Sequence, residues 1–123
     1  MLTFYMPRSV QFYKTSDGKC PVEDFLDSLP GKVAQRITWV LSLIEELDIV
    51  PSQYFKKLHA AENIWECRIN HAGNTYRLLG FFYGQQYLIL TNGFIKKTQK
   101  IPATELLIAI ERKKDFLKRG GTL

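Results

Sequence analysis

Residues 63–95 read NIWECRINHAGNTYRLLGFFYGQQYLILTNGFI, and how this stretch divides decides the fold. Its apolar residues recur with a period near two, and aromatic and branched side chains are dense, which is the pattern of half-buried strands. Two short breaks interrupt it. "HAGN" (71–74) and "GQ" (84–85) each supply a glycine where a tight hairpin needs positive φ. The stretch therefore predicts three antiparallel strands, 63–70, 74–83 and 85–95, joined by two hairpins.

The hairpins also predict which side chains share a face. A four-residue "HAGN" loop pairs Asn70 with Thr75 and sets Arg68 directly opposite Arg77. A two-residue "GQ" loop pairs Tyr83 with Gln86 and sets Arg77 opposite Asn92. Alternation along the third strand then carries Lys96 to the face of Asn92 and Phe94. The expected face holds Ile64, Glu66, Arg68, Arg77, Leu79, Phe81, Asn92 and Lys96. The opposite face holds Trp65, Cys67, Ile69, Tyr76 and Leu78, a suitable bed for helices. A one-residue change in either loop would invert the assignment.

Working outward, "SVQFYKT" (9–15) alternates and reads as a first strand at a sheet edge, closed by the turn "SDGK". "PVEDFLDSLP" (21–30) reads as a short helix, with Pro21 at its start and acids in its first turn. Val33, Ile37, Val40, Ile44 and Leu47 then recur at helical spacing, with Trp39 and Leu41 widening the stripe. These two helices form a hairpin laid on the sheet. "QYFKKLHA" (53–60) is a short strand or a loop. "PATELLIAIERKKDFLKRGG" (102–121) is a last helix, with Leu106, Leu107, Ile110 and Leu117 as its apolar stripe and Gly120-Gly121 as its stop. The expected class is α+β: a helical hairpin on a small antiparallel sheet, plus a C-terminal helix, in one domain over 1–123.

Composition narrows the function. The apolar share of 46% supports a packed core rather than disorder. Apolar runs are broken by charge or glycine within about ten residues, too short to span a bilayer. No signal-peptide pattern opens the chain, and Cys20 and Cys67 show neither CxxC nor Cys/His ligand spacing. A cytoplasmic protein with free thiols is expected. No phosphate-cradling GxxxxGK[ST] loop, HExxH or paired-histidine spacing occurs, so neither cofactor nor metal is expected.

The charge is informative by its place. The chain carries 17 basic and 12 acidic residues, a net +5. Residues 91–123 hold eight Lys or Arg against three Asp or Glu, so the excess lies in that last segment. Such asymmetry suits nucleic acid, an anionic surface or an acidic partner. Part of it, Arg112, Lys113, Lys114, Lys118 and Arg119, also offsets a helix dipole. On the strands, two opposed arginines need an anion between them. Glu66 can supply it from within the chain, or a ligand can supply it from outside. Lys96, Lys97 and Lys100 nearby favour a phosphate-binding cleft, because one carboxylate cannot neutralise that set.

The elements W-E-x-R-I (65–69), Y-R-L-L (76–79) with "FF" following, and G-F-x-K-K-T-Q-K-x-P (93–102) resemble the HigB-like branch of the RelE/ParE toxins. The resemblance extends through "VQFY" and "PVEDFLDSLP" over nearly the whole chain. It implies a type II toxin that cleaves mRNA on translating ribosomes and is held off by a cognate helix-turn-helix, HigA-like antitoxin. It also implies that basic side chains on the sheet's open face do the work. Arg77 matches the arginine of the "YRLL" motif, Arg68 a basic position on the preceding strand, and Lys96 and Lys97 the basic positions after the last strand. The expected catalytic set is Arg68, Arg77, Lys96 and Glu66. Lys97, Lys100, Asn92, Lys56, Lys57, Arg112 and Lys113 are expected to bind RNA. Several relatives carry a tyrosine or histidine near the last helix to move protons, where this chain has Thr104 and Phe116. Glu66, with His59 and Tyr76 behind it, is then the candidate base. The same gap leaves open ParE-like inhibition of DNA gyrase, and a basic surface confined to the end of the last helix would instead suit a non-catalytic module that only binds nucleic acid or a partner.

Overall fold

The computed structural model describes residues 8–59, 63–96 and 100–121. Eight elements follow in order: β1 (Ser9–Phe12), α1 (Pro21–Asp27), α2 (Gly31–Glu46), β2 (Phe55–Lys57), β3 (Trp65–His71), β4 (Asn74–Tyr83), β5 (Tyr87–Lys96) and α3 (Ala103–Lys118). The strands form one sheet in the order β1-β5-β4-β3-β2. The class is α+β, as the sequence predicts. The sheet is mixed rather than purely antiparallel, because β1 runs parallel to β5 along one edge. The chain reaches that edge through the two helices of the hairpin and three strands, a connection long enough for parallel pairing.

The two faces are packed differently. Against one lie α1 and α2, with Val22, Val33, Ile37, Val40, Leu41 and Ile44 meeting Cys67, Ile69, Tyr76, Leu78, Leu88 and Leu90. Phe55, Trp65 and Phe82 extend this core; the Phe55 and Trp65 rings stack with centroids 4.7 Å apart. Against the other face lies α3, whose Ala109 and Phe116 meet Ile64, Leu79, Phe81 and Ile89. The face expected to be open is thus roofed along part of its length.

The helix stripes need correction at their margins. Trp39 and Leu47 of the α2 stripe are exposed, and so are Leu107 and Leu117 of the α3 stripe. On α3 the buried line is Ala109 and Phe116, with Leu106 and Ile110 half-buried beside it. Alanine carries little apolar signal, so the sequence pattern favours the leucines over Ala109. Trp39 instead lies edge-on to Tyr54 with the Arg36 guanidinium over its ring, 4.4 Å from the centroid.

The first hairpin keeps the expected register. Arg68 pairs with Arg77 and Asn70 with Thr75. The loop is tighter than four residues: His71 pairs with Asn74 around Ala72 and Gly73, both at positive φ (50° and 80°). The second hairpin differs. Tyr83 pairs with Tyr87, not Gln86, across a three-residue loop. A bulge follows: Gly80 pairs with Leu90 but Leu79 with Asn92, which leaves Thr91 as an extra residue in β5. Arg77 therefore faces Phe94 rather than Asn92, and Lys96 faces Thr75. Each departure shifts the register by one residue. Together they restore the parity of the side chains, so Asn92, Phe94 and Lys96 still share the face of Arg77.

Candidate active site

The pairing just described gathers charge at one end of the α3 face. Glu66 is fully buried on β3, and Arg77 on β4 is only 5% exposed. Arg77 Nη1 is ion-paired to Glu66 Oε2. Arg68 Nη2 lies 3.3 Å from Glu66 Oε1, and Arg68 Nε donates to the same oxygen at 3.4 Å. One carboxylate thus holds two opposed guanidiniums, one on each oxygen. This relieves their mutual repulsion and fixes both side chains. The arrangement is a costly one to bury, and Arg77 Nε has no hydrogen-bond partner among the described residues.

The cluster opens into a cavity of about 550 Å³, lined by Lys56, His59, Glu66, Arg68, Arg77, Lys96 and Lys100, with apolar walls from Leu58, Ile101 and Leu106. Lys56 pairs with Glu66 across β2 and β3, so its side chain falls on this face. Lys96 reaches it from the end of β5. Burial, then the Arg77 guanidinium, push the Lys96 ammonium below its ordinary pKa; Glu66 pulls the other way, and Arg68 and Lys56 add to the push. Glu66 is the one carboxylate among the described lining residues, against Lys56, Arg68, Arg77 and Lys96. The cavity is therefore suited to an anion.

The other candidates divide by geometry. Lys100 lines the cavity. Lys57 pairs with Trp65 and belongs to the opposite face. Asn92 is buried, and its Nδ2 donates to Glu105 Oε2 at 3.0 Å and to the Glu105 carbonyl at 3.2 Å. Arg112 Nη1 donates to the Thr91 carbonyl at 2.8 Å. Lys113 sits over the Phe81 ring, 5.7 Å from its centroid. Asn92, Arg112 and Lys113 thus lie outside the cavity lining, and Lys97 lies outside the described residues. Of the possible bases, His59 is at the cavity and exposed, whereas Tyr76 is buried on the α1/α2 face. The bonds of Glu105 and Arg112 to β5 had no signal in the sequence, because both residue types read as ordinary helix-surface charges. Among the described residues no group of three or more His, Cys, Asp or Glu is placed to hold a metal ion, and no helix is long and apolar enough to cross a membrane.

A family model described as "Phage derived protein Gp49-like (DUF891)" matches residues 24–114, from α1 to the last turns of α3. The chain belongs to the Gp49-like family. That family lies in the RelE/ParE-like toxin superfamily and is of the toxin type of toxin–antitoxin pairs, so an antitoxin partner goes with it. The matched region contains β2 to β5 and most of α3, and with them Lys56, Glu66, Arg68, Arg77 and Lys96. A comparison with curated proteins found no match.

Proposed function

We propose that this Gp49-like protein is a HigB-like toxin: a metal-free endoribonuclease that cleaves mRNA on translating ribosomes until a HigA-like antitoxin restrains it. The observation that carries the reading is the convergence of Arg68, Arg77, Lys96 and Lys56 on one cavity around a single committed carboxylate. RNA brings its own nucleophile, the ribose 2′-OH. The 2′-oxygen bonds to the adjacent phosphorus and the bond from phosphorus to the 5′-oxygen breaks, leaving a 2′,3′-cyclic phosphate and a 5′-OH. The 2′-OH proton leaves to a base, and the departing 5′-oxygen gains one.

In this reading Arg68 and Arg77 orient the phosphate and stabilise the charge that builds on it. Lys96, whose ammonium is disfavoured where it stands, gives up a proton to the leaving oxygen. Glu66 acts as a positioning residue and not as the base, because both of its oxygens are held by guanidiniums. His59, at the exposed rim, takes the 2′-OH proton.

The test is primer extension on mRNA translated with wild type or with Arg77→Lys, which keeps the charge and loses the planar fork. Wild type should cut within translated reading frames, and Arg77→Lys should cut about 10²–10³-fold more slowly. Equal cutting by a folded Arg77→Lys removes Arg77 from the chemistry. Intact mRNA together with lost DNA supercoiling moves the protein to gyrase inhibition. A small helix-turn-helix protein that co-purifies with the chain and abolishes cleavage is the expected partner.

A further inference from the structure

Lys96 lies in the cavity because β5 contains one residue too many. Ile89 pairs with Phe81 and shares the α3 face. Unbroken alternation from Ile89 would put Thr91, Gly93 and Ile95 on that face and turn Lys96 to the other side of the sheet. The bulge at Thr91 absorbs the extra residue, and Asn92, Phe94 and Lys96 take the α3 face instead. Ile95 is left exposed.

The bulge is held from three directions. The Arg112 guanidinium of α3 donates to the Thr91 carbonyl. Asn92, the next residue, is tied by its amide to Glu105 in the first turn of α3. The Thr91 hydroxyl lies 3.1 Å from the Leu79 carbonyl and 2.6 Å from Asn92 Oδ1. Opposite, Gly80 makes room: a Cβ there would collide with the Ile89 carbonyl and the Leu90 side chain. Thr91 and Asn92 are both buried, which is unusual for polar residues that carry no load in the core.

We propose that the Thr91 bulge, clamped to α3 by Arg112 and Asn92, is a positioning device that turns Lys96 into the cationic cavity. Arg112 and Asn92 thereby act on the site through Lys96 and not by touching RNA. The catalytic part of this inference rests on the ribonuclease reading; the structural part does not. A shift of about 1 Å in a reacting group is enough to cost on the order of 10²-fold in rate, so loosening the clamp should be visible in turnover.

The experiment compares wild type, Arg112→Met, Arg112→Lys and Asn92→Ala. The first readout is cleavage of translated mRNA, separated into kcat and KM. The second is titration of Lys96 followed by NMR of the lysine side chains, which needs no activity. Among the described residues, the charged and titratable groups that share the cavity with Lys96 are Arg77, Glu66, Arg68, Lys56, Lys100 and His59. Arg112→Met should lose at least about tenfold in kcat with KM little changed, and Lys96 should titrate nearer an ordinary lysine. Arg112→Lys should recover part of both, and Asn92→Ala should repeat the loss if Arg112→Met does not fold. Wild-type kcat with an unaltered Lys96 titration overturns the proposal. A loss confined to KM also overturns it and returns Arg112 to RNA contact. If wild type cuts no RNA, the ribonuclease reading fails, and the Lys96 titration alone decides whether the clamp aims Lys96.

Discussion

The two faces of the sheet use the same strands for opposite purposes. The α1/α2 face is apolar throughout its buried cluster, with Ile37, Val40, Ile44, Ile69, Leu78 and Leu88 closed off from solvent. The α3 face buries Ile64, Leu79, Phe81 and Ile89, and at its end or along the adjoining bulge come Glu66, Arg77, Thr91 and Asn92, all of them buried. Burial on the first face is paid back directly by the hydrophobic effect. Burial on the second requires each polar group to find a partner, and Arg77 Nε has none among the described residues. The first face is built for packing; the second buries charge at a cost in stability, which fits the cationic site proposed there.

Substitutions can break that contrast. Glu66→Ala should have the largest effect on stability, about 3–5 kcal/mol, because it leaves two guanidiniums facing each other with the Arg77 charge buried and unpaired. Urea denaturation measures it. The double variant Glu66→Gln, Arg77→Met should regain most of that loss and remain inactive, since removing both charges together avoids the stranded one. A double variant as unstable as Glu66→Ala would mean that the ion pair supports the fold rather than the site.

Arg68 is less buried than Arg77, with 28% of its side chain exposed, so it separates chemistry from folding more cleanly. Arg68→Ala should lose about 10²–10³-fold in cleavage rate, near 2.7–4 kcal/mol of barrier, with a melting temperature close to that of wild type. On the opposite face the expectation reverses. Ile37→Val should cost about 0.5–1.5 kcal/mol of stability and leave cleavage at the wild-type rate. A drop in activity without a change in stability would show that the hairpin face also shapes the site.

The smallest effect concerns Lys96 and carries a sign. Its folded pKa lies below the ordinary 10.5 because of burial first and Arg77 second. A lysine with a depressed folded pKa is destabilising while it is charged. That penalty is complete below the folded pKa and is lifted as pH rises from there toward 10.5. Lys96→Met should therefore melt slightly above wild type at neutral pH while losing activity, and its stability should lack the wild-type gain on the approach to that value. Thermal melts at neutral and alkaline pH check it. A lower melting temperature at neutral pH would mean that Glu66 outweighs burial and Arg77 at this position.

Much of this was legible before the structure because period and turn chemistry are local. The alternation of "WECRI" and "YRLL" put Glu66, Arg68 and Arg77 on one face, and the glycine in "HAGN" allowed the turn that sets Arg68 against Arg77. The face of Lys96 was reached with two compensating departures, a loop one residue longer and a bulge one residue wide. Neither has a marker in "GQQYLILTNGF" that distinguishes it from a regular strand. Leu107 and Leu117 of α3 are exposed for a related reason: helical spacing says which residues could form a stripe, and the facing surface decides which of them does.

By itself the sequence determined the elements, their order and the two-faced character of the central strands, since these follow from side-chain volume, polarity and backbone preference along a few neighbouring residues. Only the tertiary structure decided where the cations meet. Glu66 becomes a clasp for two arginines because strands distant in sequence are set side by side. Asn92 and Arg112, residues suited to binding RNA, are turned inward because a bulge at Thr91 needs partners that only α3 can reach. Hydrogen bonds of that kind depend on atoms brought within about 3 Å by the packing of the whole chain, and no local pattern encodes them.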